Sequence, residues 1–151
     1  KTILLVLCSI LFLNSCSSDD DKDDNPVVPT ESIKLEGKWT IKEMIQHCID
    51  CERIFSYRAQ HIAREDSQTL NFFDENAYVL TSNANERKPE ELIKEWTNLM
   101  KATYFQFESF NDETLNKIGK VGDREFSVEK IGYVMAGHSI HHMNVINERY
   151  L

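Results

Sequence analysis

The stretch SVEKIGYVMAGHSIHHMNVINERYL, residues 127–151, decides the fold. Val128, Ile131, Met135, Val145 and Ile146 recur at helical spacing, and Ser127 stands where an N-cap belongs. His138 and His142 lie four residues apart in this run. At about 100° and 1.5 Å per residue their imidazoles stack on one helix face, about 40° apart and one turn from each other. That face carries the apolar stripe, so the pair points inward. Neutral imidazoles without partners are costly there. The pair therefore calls for a metal ion, at about 2.0–2.1 Å, or for a polar partner on another helix. Gly132, Ala136 and Gly137 form a small-residue strip that would let a neighbouring helix approach.

Two further helices of matched length are expected. Thr40-Ile41-Lys42-Glu43 reads as a capping box that opens a helix over 40–63, with Ile41, Met44, Ile45, Cys48, Phe55, Ala59 and Ile62 as its apolar stripe. Pro89, suited to a first helical turn and followed by Glu90 and Glu91, opens a helix over 89–110. Its buried face is expected to hold Leu92, Ile93, Trp96, Leu99, Met100, Thr103, Phe107 and Phe110. The last helix covers 128–149. Residues 64–88 form a long connection whose Phe72, Phe73, Tyr78 and Leu80 imply a packed short helix near 74–80. Gly119, Gly122 and Asp123 mark a turn, and no segment has the period of a strand. The fold class is all-α, a helical bundle.

The 151-residue chain carries a formal charge of −8 without a basic patch, which argues against a nucleic-acid partner. Much of the acidity is local, since Asp19, Asp20, Asp21, Asp23 and Asp24 face only Lys22. Lys1 and the apolar run from Ile3 to Leu13 have the form of a secretory signal, too short to span a bilayer. With Leu13-Asn14-Ser15-Cys16 they resemble a bacterial lipoprotein signal. That resemblance implies a cleaved signal peptide at 1–15, lipidation of Cys16 and a flexible acidic stalk over 16–36. It also implies an outer-membrane lipoprotein exposed at the cell surface, in the manner of the Bacteroidetes group, with the membrane met only through the N-terminal lipid.

Three blocks carry a second resemblance: GKWTIKEMIQHCIDCERIFSYRAQHIARED (37–66), FDENAYVLTSNANER (73–87) and GYVMAGHSIHHMNVINERYL (132–151). In order and spacing they resemble the DinB-like (DinB/YfiT) superfamily of metal-binding bundles, over residues 37–151. The resemblance implies a four-helix bundle holding a divalent metal, zinc or nickel, on three histidines, which here match His47, His138 and His142. It further implies a metal-dependent thiol S-transferase or a related hydrolase or isomerase, with a small-molecule thiol or electrophile as partner. The family's first helix has no counterpart before Gly37 in this reading. A homodimer, or the apolar run of the signal, would then have to cover the bundle. The alternative is a non-enzymatic surface lipoprotein, or an incomplete fusion product with a vestigial metal site.

The other polar residues read more plainly. His61 lies fourteen residues beyond His47, about 21 Å along the axis, and is expected at the surface or facing a loop. His141 is expected to face solvent or to support the site. Cys48 and Cys51 make a CxxC inside a helix and read as small buried hydrophobes, with Cys51 also within reach of His47 as an extra ligand. Asp50, Glu52, Arg53 and Arg58, with Glu148 and Arg149, read as solvated helix faces.

Overall fold

Thr40 closes both halves of the capping box: its hydroxyl accepts from the Glu43 N–H at 3.1 Å, and the Glu43 carboxylate accepts from the Thr40 N–H at 2.7 Å. The helix it opens, α1 (Ile41–Ala63), is the element on which the others pack. These features come from a computed structural model, which describes residues 37–151. The signal peptide at 1–15, the lipidated Cys16, the stalk at 16–36 and the question of a first family helix lie outside the described residues.

After α1 come α2 (Glu75–Thr81), a 3-10 turn (Ala84–Glu86), α3 (Pro89–Glu108) and α4 (Asp112–Asn116). They are followed by a hairpin of β1 (Ile118–Val121) and β2 (Arg124–Ser127), and by α5 (Val128–Arg149). Besides Thr40, three helix starts have side-chain caps, while α3 starts with Pro89 in its first turn and no side-chain cap. Asp74 accepts from the N–H groups of Asn76 and Ala77, Asn111 from that of Thr114, and Ser127 from that of Lys130. The boundaries agree with the expected 40–63, 74–80, 89–110 and 128–149 to within two residues.

Two apolar clusters along α1 set the helix directions. Ala59, Ile62 and Ala63, at its C-terminal end, pack with Met100, Phe107 and Phe110 of the α3 end, and with Val128, Ile131 and Met135 at the start of α5. Ile45 and Ile49, at its N-terminal end, pack with Leu92, near the start of α3, and with Ile146 near the end of α5. Hence α1 and α3 run parallel while α5 runs antiparallel to α1. The direction of α3 explains the long connection, which must carry the chain back along the roughly 34 Å length of α1 before α3 begins. Hydrogen bonds anchor it at both ends: Thr40 Oγ1 donates to Asn85 Oδ1 at 2.7 Å, and Arg58 donates to the Asn71 carbonyl at 2.7 Å.

Besides the unexpected short helix α4, four details differ from the expectation. The turn region holds a two-stranded antiparallel hairpin, pairing Ile118 with Ser127 and Val121 with Arg124. Strands of four residues are too short to register as a period, and docking holds them in place. The Gly122 N–H donates to the Leu70 carbonyl at 2.7 Å, and Val121 is buried. Gly122 takes φ +59° at the first loop position, and a Cβ on Gly119 would lie 2.4 Å from Ile62 Cγ1, so strand and helix meet too closely for a side chain. Second, the connection is less packed than expected, with Phe72, Tyr78 and Leu80 exposed. Third, Ile93 is exposed on α3. Fourth, Gly132 and Ala136 are buried, but Gly137 faces open space and takes no part in a helix contact. No helix among the described residues is long and apolar enough to cross a membrane.

Thr40 is 2 % exposed and serves both the cap and the tie to Asn85. Thr40→Ala is therefore expected to lower unfolding stability by about 1–2 kcal/mol, with Thr40→Ser close to the parent. Denaturant unfolding of the full chain measures both, and an unchanged Thr40→Ala midpoint would contradict this role for the cap.

Candidate metal centre

The antiparallel pairing of α1 and α5 lays the second turn of α1 beside the C-terminal half of α5. His47 therefore meets His138 and His142. The His47 and His138 Nε2 atoms are 3.0 Å apart, and those of His138 and His142 are 3.1 Å apart. The three ring centroids lie 5.0, 4.9 and 4.5 Å from one another. His47 is buried, and the other two are half-buried.

Hydrogen bonding alone does not account for this arrangement. Each imidazole nitrogen offers either one N–H or one lone pair, directed in the ring plane. The His138 Nε2 atom has a neighbouring nitrogen on both sides, so the two contacts compete for a single direction. Three lone pairs aimed at one cation have no such conflict. Nitrogens held about 2.0–2.1 Å from a shared ion at 90–110° would lie about 2.9–3.4 Å apart, which brackets both measured separations. The donor set fits a divalent ion of intermediate softness. His142 Nδ1 is also buried without a hydrogen-bond partner, so the outer nitrogen of that ring is not oriented by the protein.

The electrostatics favour the neutral, ligand-competent form of all three rings. Burial lowers the His138 pKa to about 3, with the other three histidines of the cluster adding to the effect. Burial, then His47 and His141, lower that of His142 to about 4. His47 is lowered as well, chiefly by desolvation, while the carboxylates of Glu75 and Asp50 pull in the opposite direction. Trp39 packs its ring 4.8 Å from that of His47, and Phe55 sets an edge against His138 at 5.9 Å. Both contacts limit the freedom of the imidazoles.

Cys51 Sγ lies 3.6 Å from His47 Nε2, and the ligand atoms close enough together to share an ion fall in two groups that meet at His138: His47, Cys51 and His138, and Cys48, His138 and His142. Without a cation its thiol stays protonated, because burial first and then the nearby Asp50 and Glu75 push its pKa up to about 12. Cys48 is likewise pushed above the usual thiol range by burial, and both cysteines are free and buried. His141 is exposed, as expected. His61 faces the loop, where its Nε2 pairs with the Gln68 carbonyl at 2.9 Å, but it is buried and not at the surface.

Glu52 and Arg58 overturn the reading of solvated charge on α1, being 4 % and 8 % exposed. The error has a geometric origin. A helix packed on one side is buried along one stripe, whereas α1 is covered by α3 on one side and α5 on another. Glu52 faces Thr103 of α3, and burial raises its carboxyl pKa. Arg58 belongs to the α5 side, at helical spacing from Cys51 and Phe55.

The sequence profile of the DinB superfamily matches residues 27–146. The chain belongs to that superfamily. The match also takes in part of the segment read as stalk. Among solved structures, YfiT from Bacillus subtilis, described as a probable metal-dependent hydrolase with an unusual four-helix bundle topology, matches with a TM-score of 0.76. It shares 17 % identity, over 97 % of this chain and 83 % of that one, and so supports the DinB-like helical-bundle fold. No curated protein sequence matches the chain.

The lowered histidine pKa values define a pH dependence. An unfolded imidazole takes a proton near pH 6.5, whereas folded His142 and His138 wait until about pH 4 and 3. Between those limits the unfolded chain binds more protons, so stability falls as pH drops from about 6.5 towards 4. Thermal melts of the metal-stripped chain are expected to show this fall, with a smaller slope in a His138→Gln, His142→Gln variant. Equal slopes in parent and variant would contradict the assignment.

Proposed function

We propose that this protein binds one divalent ion, zinc or nickel, through His47, His138 and His142. We propose further that it is a metal-dependent enzyme in which a low-molecular-weight thiol, or water, attacks a small electrophile. The run of three imidazoles across two helices, with His138 Nε2 3.0 Å from that of His47 and 3.1 Å from that of His142, carries this reading. The description of YfiT as a probable metal-dependent hydrolase agrees with the general chemistry. Three protein nitrogens leave coordination positions free, the pattern of catalytic sites, whereas structural sites are closed. When bound, a divalent ion at such a site supplies Lewis acidity and favours the deprotonated form of water or a thiol.

The chain's own residues prepare the site in three ways. Burial keeps the imidazoles neutral at physiological pH, so no proton has to leave before a cation is bound. Trp39 and Phe55 hold the rings by packing, which limits the reorganisation needed on binding. An open cavity beside His142, bordered by Trp39, Met44, Asn76 and His141, gives a small molecule access from solvent. Glu75 and Asp50 add negative potential near His47, which favours a cation at the centre.

Metal analysis of the purified full chain tests the proposal. One equivalent of zinc or nickel is expected in the parent and none in His138→Ala, with the parent's melting temperature rising on metal addition and the variant's unchanged. A folded parent that takes up no divalent ion would sink it.

A further inference from the structure

A second cavity, of about 250 Å³, opens in the groove between α1 and α5 next to the histidines, walled by Phe55, Phe73, Val121, Phe126, Ile131 and Val134. Arg58 and Glu75 also border it. Arg58 is a buried cation at 8 % exposure. It has one hydrogen bond, from Nη2 to the Asn71 carbonyl, which leaves the rest of its five N–H donors without a protein acceptor. Among the described residues no acid lies within ion-pair distance of it. The rings of Phe55 and Phe73, 5.5 and 5.8 Å from the guanidinium carbon, offset part of the desolvation by cation–π attraction. They supply no countercharge. The free donors are not sealed off within the protein, so they open onto the cavity that Arg58 borders, where an anion can reach them.

We propose that this cavity binds a small apolar monocarboxylate, an aromatic or branched acid, with the carboxylate on Arg58 and the apolar body among Phe55, Phe126, Ile131 and Val134. The chemistry on the page narrows the ligand. The walls are apolar and the volume lies just below the usual range for ligand pockets, so the body is one ring or a short branched chain. A single cation matches a single negative charge, and the carboxylate of Glu75 on the same wall opposes a dianion such as a phosphate monoester.

The cavity adjoins the metal centre. Phe55 borders the cavity and sets its edge against His138, and Ile131 precedes His138 on α5 by two turns, about 10 Å. A carboxylate anchored at Arg58 would hold the remote end of a substrate whose reacting end passes Phe55 to the histidines, and that role rests on the proposed enzyme function. The binding claim does not depend on it.

Calorimetric titration of the full chain with phenylacetate, metal-loaded and metal-stripped, tests the site. Saturable binding is expected in both forms, at least tenfold weaker for the neutral isostere phenylacetamide, for acetate, and for the Arg58→Gln variant. Glu75→Gln is expected to tighten binding severalfold by removing the opposing charge, and a loss of affinity instead would point to a zwitterionic ligand and overturn the monocarboxylate. Equal binding of acid and amide, unaffected binding in Arg58→Gln, or no saturation by about 10 mM would also overturn it. Val134→Trp, at a position 39 % exposed, fills the cavity without loading the core and should abolish binding even if Arg58→Gln fails to fold. Metal content, read on the same samples, keeps the two proposals separate: a metal-free parent that binds phenylacetate retains the cavity and loses the metal centre.

Discussion

Three neutral imidazoles, successive Nε2 atoms 3.0 and 3.1 Å apart, occupy the contact between α1 and α5. This is the constraint to which the rest of the structure answers. Nitrogens that close repel unless a shared proton or cation lies between them, and burial removes the option of charging the rings to bind water. The helices must therefore be held together by other contacts. The cluster of Ala59, Ile62, Val128, Ile131 and Met135 at one end of the pair, and that of Ile45, Ile49 and Ile146 at the other, do so. The histidines lie between two apolar clamps, and neither clamp depends on the site's chemistry.

The same arrangement explains the shape of the connections. Because α3 lies parallel to α1, the chain has to return along the bundle between them, and the segment that does so builds one wall of the second cavity from Phe73 and Glu75. The hairpin after α3 supplies another wall, with Val121 and Phe126. Gly119 lets β1 come within side-chain distance of Ile62. Elements that look like linkers in the sequence thus enclose the space next to the histidines, and loops held on a rigid scaffold commonly carry binding surfaces.

The three long helices and their limits were legible because they depend on local chemistry: Thr40, Pro89 and Ser127 each mark a start that the structure uses, whereas the five-residue α4 was not expected. The hairpin was not legible, since four-residue strands carry no readable period and exist through docking on Leu70 and Ile62. Glu52 and Arg58 were misread for a different reason. Their burial depends on how many neighbours cover α1, which residue type and spacing along α1 do not encode. The family blocks placed His47 beside His138 and His142, and the structure brings the three rings together.

By itself the sequence determined an all-α bundle, most of its caps and a histidine pair on one helix face, because backbone capping and the 3.6-residue period act within a few residues of each other, and its block resemblance gave the DinB superfamily. Tertiary structure alone decided the parallel course of α1 and α3, the docked hairpin, and the depth at which Arg58 lies beside an apolar cavity. Burial is a property of the neighbours that arrive from distant parts of the chain, and only they decide that the guanidinium of Arg58 opens onto an apolar cavity with a single protein acceptor.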